Sequence, residues 1–180
     1  MRRSIRQRFN IPIILVSHDI EECLELADEL AVLDKGLVLQ NGTREAVFAR
    51  PATAEIARLL GVFNIVPAEI LALDPGENSS LLRVLDQEIT GPYLPGHLIG
   101  DSGYACVRRS ELTLVQQTRH SSRNQLTLRL LGTSPTAAGL RLLFDNDFSA
   151  ITSERAFQSL PDKQVITLEI APSAIAFTGK

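Results

Sequence analysis

Hydrophobic periodicity along the chain changes character near residue 62. Ile11-Pro12-Ile13-Ile14-Leu15-Val16 is an unbroken apolar, β-branched run, the pattern of a strand buried on both faces. It ends at Ser17-His18-Asp19. Ile20, Cys23, Leu24, Ala27, Leu30 and Ala31 then recur at helical spacing, with Glu21, Glu22, Glu25, Asp28 and Glu29 on the other face. Asp19 is a fitting N-cap, and the acids after it suit the positive end of the helix dipole. Ala31–Asp34 and Leu37–Gln40 are predicted strands joined by a Lys35-Gly36 turn. Thr43 caps a short helix over 44–49. A second helix over 52–60 begins at Pro51 and stops at Gly61.

From Asn64 onward the period is that of strands. Predicted strands cover 65–71, 81–85, 104–108 and 112–115, with Asp74-Pro75-Gly76 as a turn. Gly91-Pro92 and Pro95-Gly96 read as loop. Further strands cover 126–130, 140–144, 148–152, 165–170 and 174–177, and Ser153 caps one helical turn through Phe157. The two β stretches repeat each other. Asn64-Ile65 and Asn124-Gln125 open them 60 positions apart, and Val107–Leu114 aligns with Ile170–Phe177 at a spacing of 63. Short strands broken by Gly and Pro at regular spacing predict two small barrels.

Composition narrows the class. Hydrophobic residues make up 44% and charged residues 22% of 180 positions, ordinary for a globular chain and unlike a disordered one. A net charge of -3 gives no global field for nucleic acid. Arg2, Arg3, Arg6 and Arg8 read as the polar face of a helix before the first strand, so no nucleic-acid partner is expected. Cys23 and Cys106 are predicted to be buried reduced thiols. No His/Cys/carboxylate cluster has metal-ligand spacing. No apolar run is long enough to cross a bilayer. His18 has the sharpest chemical reading. It ends a buried strand, where α/β folds place ligands, and an imidazole there can donate to a phosphate oxygen or position a water.

Ile13-Ile14-Leu15-Val16-Ser17-His18-Asp19, the acidic helix, the Asp34-Lys35-Gly36 turn and the Gly42-Thr43 cap resemble the switch-histidine segment of ATP-binding cassette transporter ATPases. Arg50-Pro51-Ala52-Thr53 and Phe63-Asn64-Ile65 are similar to that family too. The resemblance implies that His18 contacts the γ-phosphate of ATP. Yet the sequence has no Gly-x-x-x-x-Gly-Lys-[Ser/Thr] loop, no Gly-Gly pair and no acidic pair ending a strand upstream. Phosphoryl transfer needs such amides, a lysine and Mg²⁺. This chain alone is therefore expected neither to bind ATP nor to hydrolyse it; ATP and Mg²⁺ are cofactors of a full-length subunit.

Ser121-Ser122-Arg123-Asn124-Gln125-Leu126, Ala150-Ile151-Thr152 and Gln164–Ile170 resemble the molybdate-binding, molbindin-like OB domains. By that resemblance Ser122, Arg123 and Thr152 sit at oxyanion-binding positions. Ala171 fills the lysine position and Arg155 a serine position, with Arg108 or Arg155 as candidates to compensate. A purely structural, dimer-forming role, with Ser122 and Asn124 satisfying turn backbone groups, stays open beside anion binding.

The fold class expected is α+β: a C-terminal remnant of an α/β nucleotide-binding domain over 1–62, then tandem OB-like, MOP-like halves over 63–118 and 119–180. The function implied is that of the C-terminal fragment of the ATP-binding subunit of a bacterial oxyanion importer, with molybdate or tungstate as ligand. Its expected partners are a second copy and the membrane permease, and its expected place is cytoplasmic, peripheral to the inner membrane. Two other readings stay open, a stand-alone molbindin-like binder and the same region of a sugar or polyamine importer ATPase. The apolar run at 11–16, lacking its sheet, is expected to pair with a second copy or pack on the barrels.

Overall fold

The computed structural model describes residues 12–115 and 124–179. Ile20–Leu26 forms helix α1, whose Glu22 N–H donates to Asp19 Oδ1 at 3.3 Å, the predicted N-cap. The helix ends five residues short of the expected Ala31. Glu29–Asp34 is instead strand β1, paired antiparallel with β2 (Leu37–Thr43). Leu30 and Val32 alternate inward as well as they fit a helix, and the ladder with β2 decides between the two. Lys35 and Gly36 turn the hairpin at φ 47° and 81°, the left-handed pair of a type I′ turn. Thr43 and Thr53 cap α2 (Arg44–Ala49) and α3 (Ala54–Leu60), each hydroxyl accepting an N–H at 3.2 Å. Gly61, at φ 67°, ends α3.

The run at 12–17 forms no strand. Ile14 and Val16 are 94% and 93% exposed, so it does not pack on the β sheets either. A strand reading rests on neighbours that accept and donate backbone hydrogen bonds, and among the described residues none lies alongside.

Two five-stranded antiparallel sheets follow. The first is ordered β12-β6-β3-β4-β5 and the second β10-β9-β8-β11-β7. Their strands are β3 (Phe63–Asp74), β4 (Ser79–Val84), β5 (Gln87–Pro92), β6 (Ser102–Arg108), β7 (Leu112–Val115), β8 (Gln125–Thr136), β9 (Gly139–Phe144), β10 (Ser149–Thr152), β11 (Val165–Ile170) and β12 (Ile175–Gly179). The repeat is present in the fold. Both β3/β4 and β8/β9 slip register at one place, between Ile70 and Ala72 and between Leu130 and Gly132, again 60 apart. The last strand of each repeat is exchanged: β7 completes the second sheet beside β11, and β12 completes the first beside β6. Edge strands β5 and β12 approach each other, as do β10 and β7, curling each sheet toward an OB-like barrel. The predicted α+β class holds. Strand β5 replaces the loop expected from Gly91-Pro92. A proline ending an edge strand removes no obligatory ladder bond.

One large core joins the inner faces of both sheets, through Ile70, Leu82, Ile89 and Val107 on one side and Leu126, Leu142, Phe148 and Ile166 on the other. A second, smaller cluster lies on the opposite face of the first sheet, where Val47, Phe48, Ile56 and Leu60 of α2 and α3 meet Phe63, Cys106 and Ala176. Consecutive residues Ala105-Cys106-Val107 are thus all buried, as a strand covered on both faces must be. Ser153 caps α4 (Glu154–Gln158) as expected. Cys106 is a buried free thiol, and Cys23 is a half-buried one.

This packing has two measurable consequences. A Cβ on Gly103 would lie 2.2 Å from the Thr178 carbonyl oxygen and 2.7 Å from the Phe177 ring. Backbone cannot yield as a side chain can, so Gly103→Ala is expected to lose about 3 kcal/mol in urea unfolding by prising β12 off β6. Burial pushes the Cys106 thiol from 9.0 up to about 11, against a smaller opposing pull from Thr178 and Arg58. The folded state therefore holds this proton more tightly than the unfolded chain. Its contribution is complete below pH 9 and is lost as pH rises from 9 to 11, amounting to about 2–3 kcal/mol. Unfolding free energies measured across that range should fall for the parent and stay flatter for Cys106→Ala.

Candidate functional site

The two sheets meet along a seam held by asparagines. Asn64, 2% exposed, opens β3 and reaches the edge strand of the other sheet. Its Nδ2 donates to the Ser149 carbonyl at 2.7 Å, and its Oδ1 accepts the Ser149 N–H at 2.9 Å. Asn124, one residue before β8, does the same in reverse. Its Nδ2 donates to the Thr90 carbonyl and its Oδ1 accepts the Thr90 N–H, both at 2.8 Å, and Nδ2 also donates to Ile170 O at 3.0 Å. An asparagine is one of the few side chains that can satisfy an N–H and a C=O of one residue together. Asn124 is thereby committed to backbone, in keeping with a structural role.

A cavity of about 430 Å³ opens on this seam, with Ser110, Glu111, Asn124, Glu169, Ala171 and Pro172 among its walls. Ser110 and Pro172 each belong to a turn at the same place of the repeat, Arg109–Glu111 and Pro172–Ala174, and Ala171 directly precedes the second. Two carboxylates face this space and no cation lines it among the described residues. Alone, these walls oppose an anion.

Of the expected oxyanion residues, Thr152 falls among the described ones. Ser122 and Arg123 lie outside the described residues. Thr152 ends edge strand β10, opposite Leu140, and is not among the walls of that cavity. Its carbonyl is closely approached by Gly139, where an added Cβ would come within 2.6 Å of the oxygen. Arg155 is exposed in the first turn of α4. Arg108 lies 3.7 Å from Glu111, a separation at which its charge is partly neutralised.

His18 stands exposed in the turn before α1. Ser17 beside it accepts the Asp19 N–H at 3.1 Å and donates to Glu22 at 2.8 Å, which shapes the turn. No group of three or more His, Cys, Asp or Glu side chains that could hold a metal ion occurs among the described residues. The sequence has no phosphate loop to set beside His18, so no motif of this chain supplies the amides and lysine that cradle nucleotide phosphates. The asparagine clamps do not stand out as a pair in the sequence. Their one signal there is the 60-residue spacing of Asn64 and Asn124.

No protein-family profile matches the chain. Curated proteins do. It is 32% identical over 120 residues to the spermidine/putrescine import ATP-binding protein PotA of Pseudomonas fluorescens, covering 66% of this chain and 33% of that protein. It is 31% identical over 143 residues to the sulfate/thiosulfate import ATP-binding protein CysA of Ralstonia nicotianae, covering 78% and 37%. The Fe(3+) ions import ATP-binding protein FbpC of Brucella abortus is 33% identical over 82 residues, covering 46% and 23%. The chain thus spans about a quarter to a third of the length of these relatives. Among solved structures, the molybdate-bound form of the cytoplasmic molybdate-binding protein ModG superposes with a TM-score of 0.53 at 16% identity, over 65% of this chain and 96% of that one. That likeness shows the fold: an OB-like, molbindin-type pair of β units. No helix among the described residues is long and apolar enough to cross a membrane.

Removing a clamp leaves two backbone groups of an edge strand unsatisfied. Asn64→Ala is expected to cost about 2–4 kcal/mol in chemical unfolding, and Asn124→Ala a comparable amount. Amide exchange should rise first at Ser149 and Thr90 respectively.

Proposed function

We propose that this chain is the C-terminal region of an importer ATP-binding subunit, its tandem β unit serving to regulate the subunit and pair it with a second copy. The observation that carries the reading is the ordered similarity to import ATP-binding proteins, which runs across up to 78% of the chain. A match of 143 residues in a chain of 180 takes in α2, α3 and the start of the β unit together. Packing supports it: α2 and α3 share a buried cluster with β3, β6 and β12, so both parts bear on one sheet. In the complete subunit His18 is read as the γ-phosphate contact. The permease is the implied partner, and the cytoplasmic face of the inner membrane the implied place.

The finer reading is an oxyanion cargo of the molybdate class, with Ser122, Arg123 and Thr152 as ligands. The fold shared with ModG favours it. A tetrahedral dianion needs several neutral donors and a cation, which makes Arg123 the central residue, since Ala171 offers no donor. A stand-alone oxyanion binder is the second reading, favoured by the cover of 96% of the ModG chain.

Two measurements test these readings. Residues 1–180 can replace the matching segment of the Pseudomonas fluorescens spermidine/putrescine subunit. The chimera is expected to hydrolyse Mg-ATP, with His18→Ala lowering kcat about 100-fold or more while ATP still binds. Unchanged hydrolysis in His18→Ala would remove the importer assignment. Calorimetric titration of the chain with molybdate, tungstate and sulfate tests the cargo. Stoichiometric molybdate binding lost in Arg123→Gln supports the oxyanion reading, and no heat with any of the three overturns it.

A further inference from the structure

A second cavity, of about 420 Å³, opens on β9 and the start of β10 beside the Asn64 clamp, whose backbone partner Ser149 is on its wall. Arg109 and Arg141 line it together with Leu131, Leu143, Phe148 and Asp147. The two arginines come from distant parts of the chain. Arg109 belongs to the turn after β6 and is pinned there: its N–H donates to Val62 O at 3.1 Å and its Nη1 to Gly61 O at 2.6 Å. Arg141 stands on β9 opposite Ser134. The Nε of each is buried without a hydrogen-bond partner, a costly state for a charged donor. Burial, and then the charge of Arg141, hold the Arg109 guanidinium below its ordinary value. The pair therefore repel each other across the cavity.

The acidic groups nearby do not neutralise them. Asp147 is on the wall, and Asp145 beside it has a buried Oδ1 that is itself without a partner. Among the described residues no ion pair within 4.0 Å joins either aspartate to Arg109 or Arg141. Nor does the fold require arginine at these places. Under the internal repeat Arg109 corresponds to Pro172, and Arg141, by its register opposite Ser134, to Ser79 opposite Asp74. The equivalent place on the first sheet, with Pro172 and Ser79, is built with neither charge. Besides Asp147 and Ser149 the wall carries leucine and phenylalanine, and Leu131 and Leu143 on it remain 66% and 41% exposed.

We propose that this cavity binds a small carboxylate bearing a short branched apolar group, the carboxylate bridging Arg109 and Arg141 and the apolar group lying on Leu131 and Leu143. A planar carboxylate suits two guanidinium forks, each offering parallel N–H donors. The leucines on the wall explain the preference over a fully hydrated tetrahedral anion, which gains nothing from apolar contact. The site is independent of the importer reading. It uses neither His18 nor the residues assigned to an oxyanion.

The test is a ¹H–¹⁵N titration of the whole chain with 4-methylpentanoate, following the arginine Nε–H signals and the Gly132 and Ser149 amides. Saturable shifts with a Kd of about 1 mM are expected. The alcohol 4-methylpentan-1-ol should give none, and inorganic phosphate should bind about tenfold more weakly or worse. Arg141→Gln should weaken the carboxylate about tenfold or more. Leu143→Asp, a change at an exposed position, should weaken it without touching either arginine. No saturable shift with the parent chain, phosphate binding as tight as the carboxylate, or full binding in both variants overturns the proposal.

Discussion

Two carboxamides and two exchanged strands hold the β unit together. Each asparagine covers both backbone groups of a residue on the other sheet's edge, Ser149 for Asn64 and Thr90 for Asn124. An uncovered edge strand would leave those groups to water or to another chain. The exchange of β7 and β12 works to the same end. Neither repeat owns a complete sheet, so neither has a folded form that resembles its place here. Burial of Leu126, Leu142 and Ile166 against Ile70, Leu82 and Ile89 follows once the sheets are locked in that arrangement.

This constraint passes to the first sixty residues through one strand. Because β6 runs between β3 and β12, its two faces belong to different cores. Ala105 and Val107 face the sheet–sheet interior, and Cys106 faces α2 and α3. A disturbance of the β12–β6 ladder is therefore felt in both clusters. Gly103 sits in that ladder opposite Gly179, with no room for a methyl group against Thr178. The hairpin of β1 and β2 is held less firmly. Leu33, Leu37 and Val38 remain exposed on it.

The two cavities differ in charge. The seam cavity presents Glu111 and Glu169, and the second cavity presents Arg109 and Arg141 beside Asp147. Arginines that repel each other in a partly apolar recess are stabilised by a bound anion, whereas carboxylates facing a seam are not. The same repeat carries both environments because side chains at equivalent positions diverged while the backbone pairing did not. The shared register slips at Ile70/Ala72 and Leu130/Gly132 keep that pairing in step.

Local chemistry was legible from the residues alone. The caps at Asp19, Thr43 and Ser153, the Lys35-Gly36 turn, the Gly61 stop and the spacing of Asn64 and Asn124 follow from side-chain donors and backbone freedom within a few residues, whereas the second helix starts at Ala54 under a Thr53 cap and not at Pro51. What needed the tertiary structure was whatever depends on a distant partner. Residues 12–17 form no strand although they are apolar, Glu29–Ala31 pairs with β2 although it keeps a helical period, and Gln87–Pro92 is an edge strand although it ends in Gly-Pro. The exchanged strands and the meeting of Arg109 with Arg141 leave no mark on periodicity. Hydrogen-bond ladders and charge encounters are settled by which segment arrives alongside, and the order of residues along a chain does not record that.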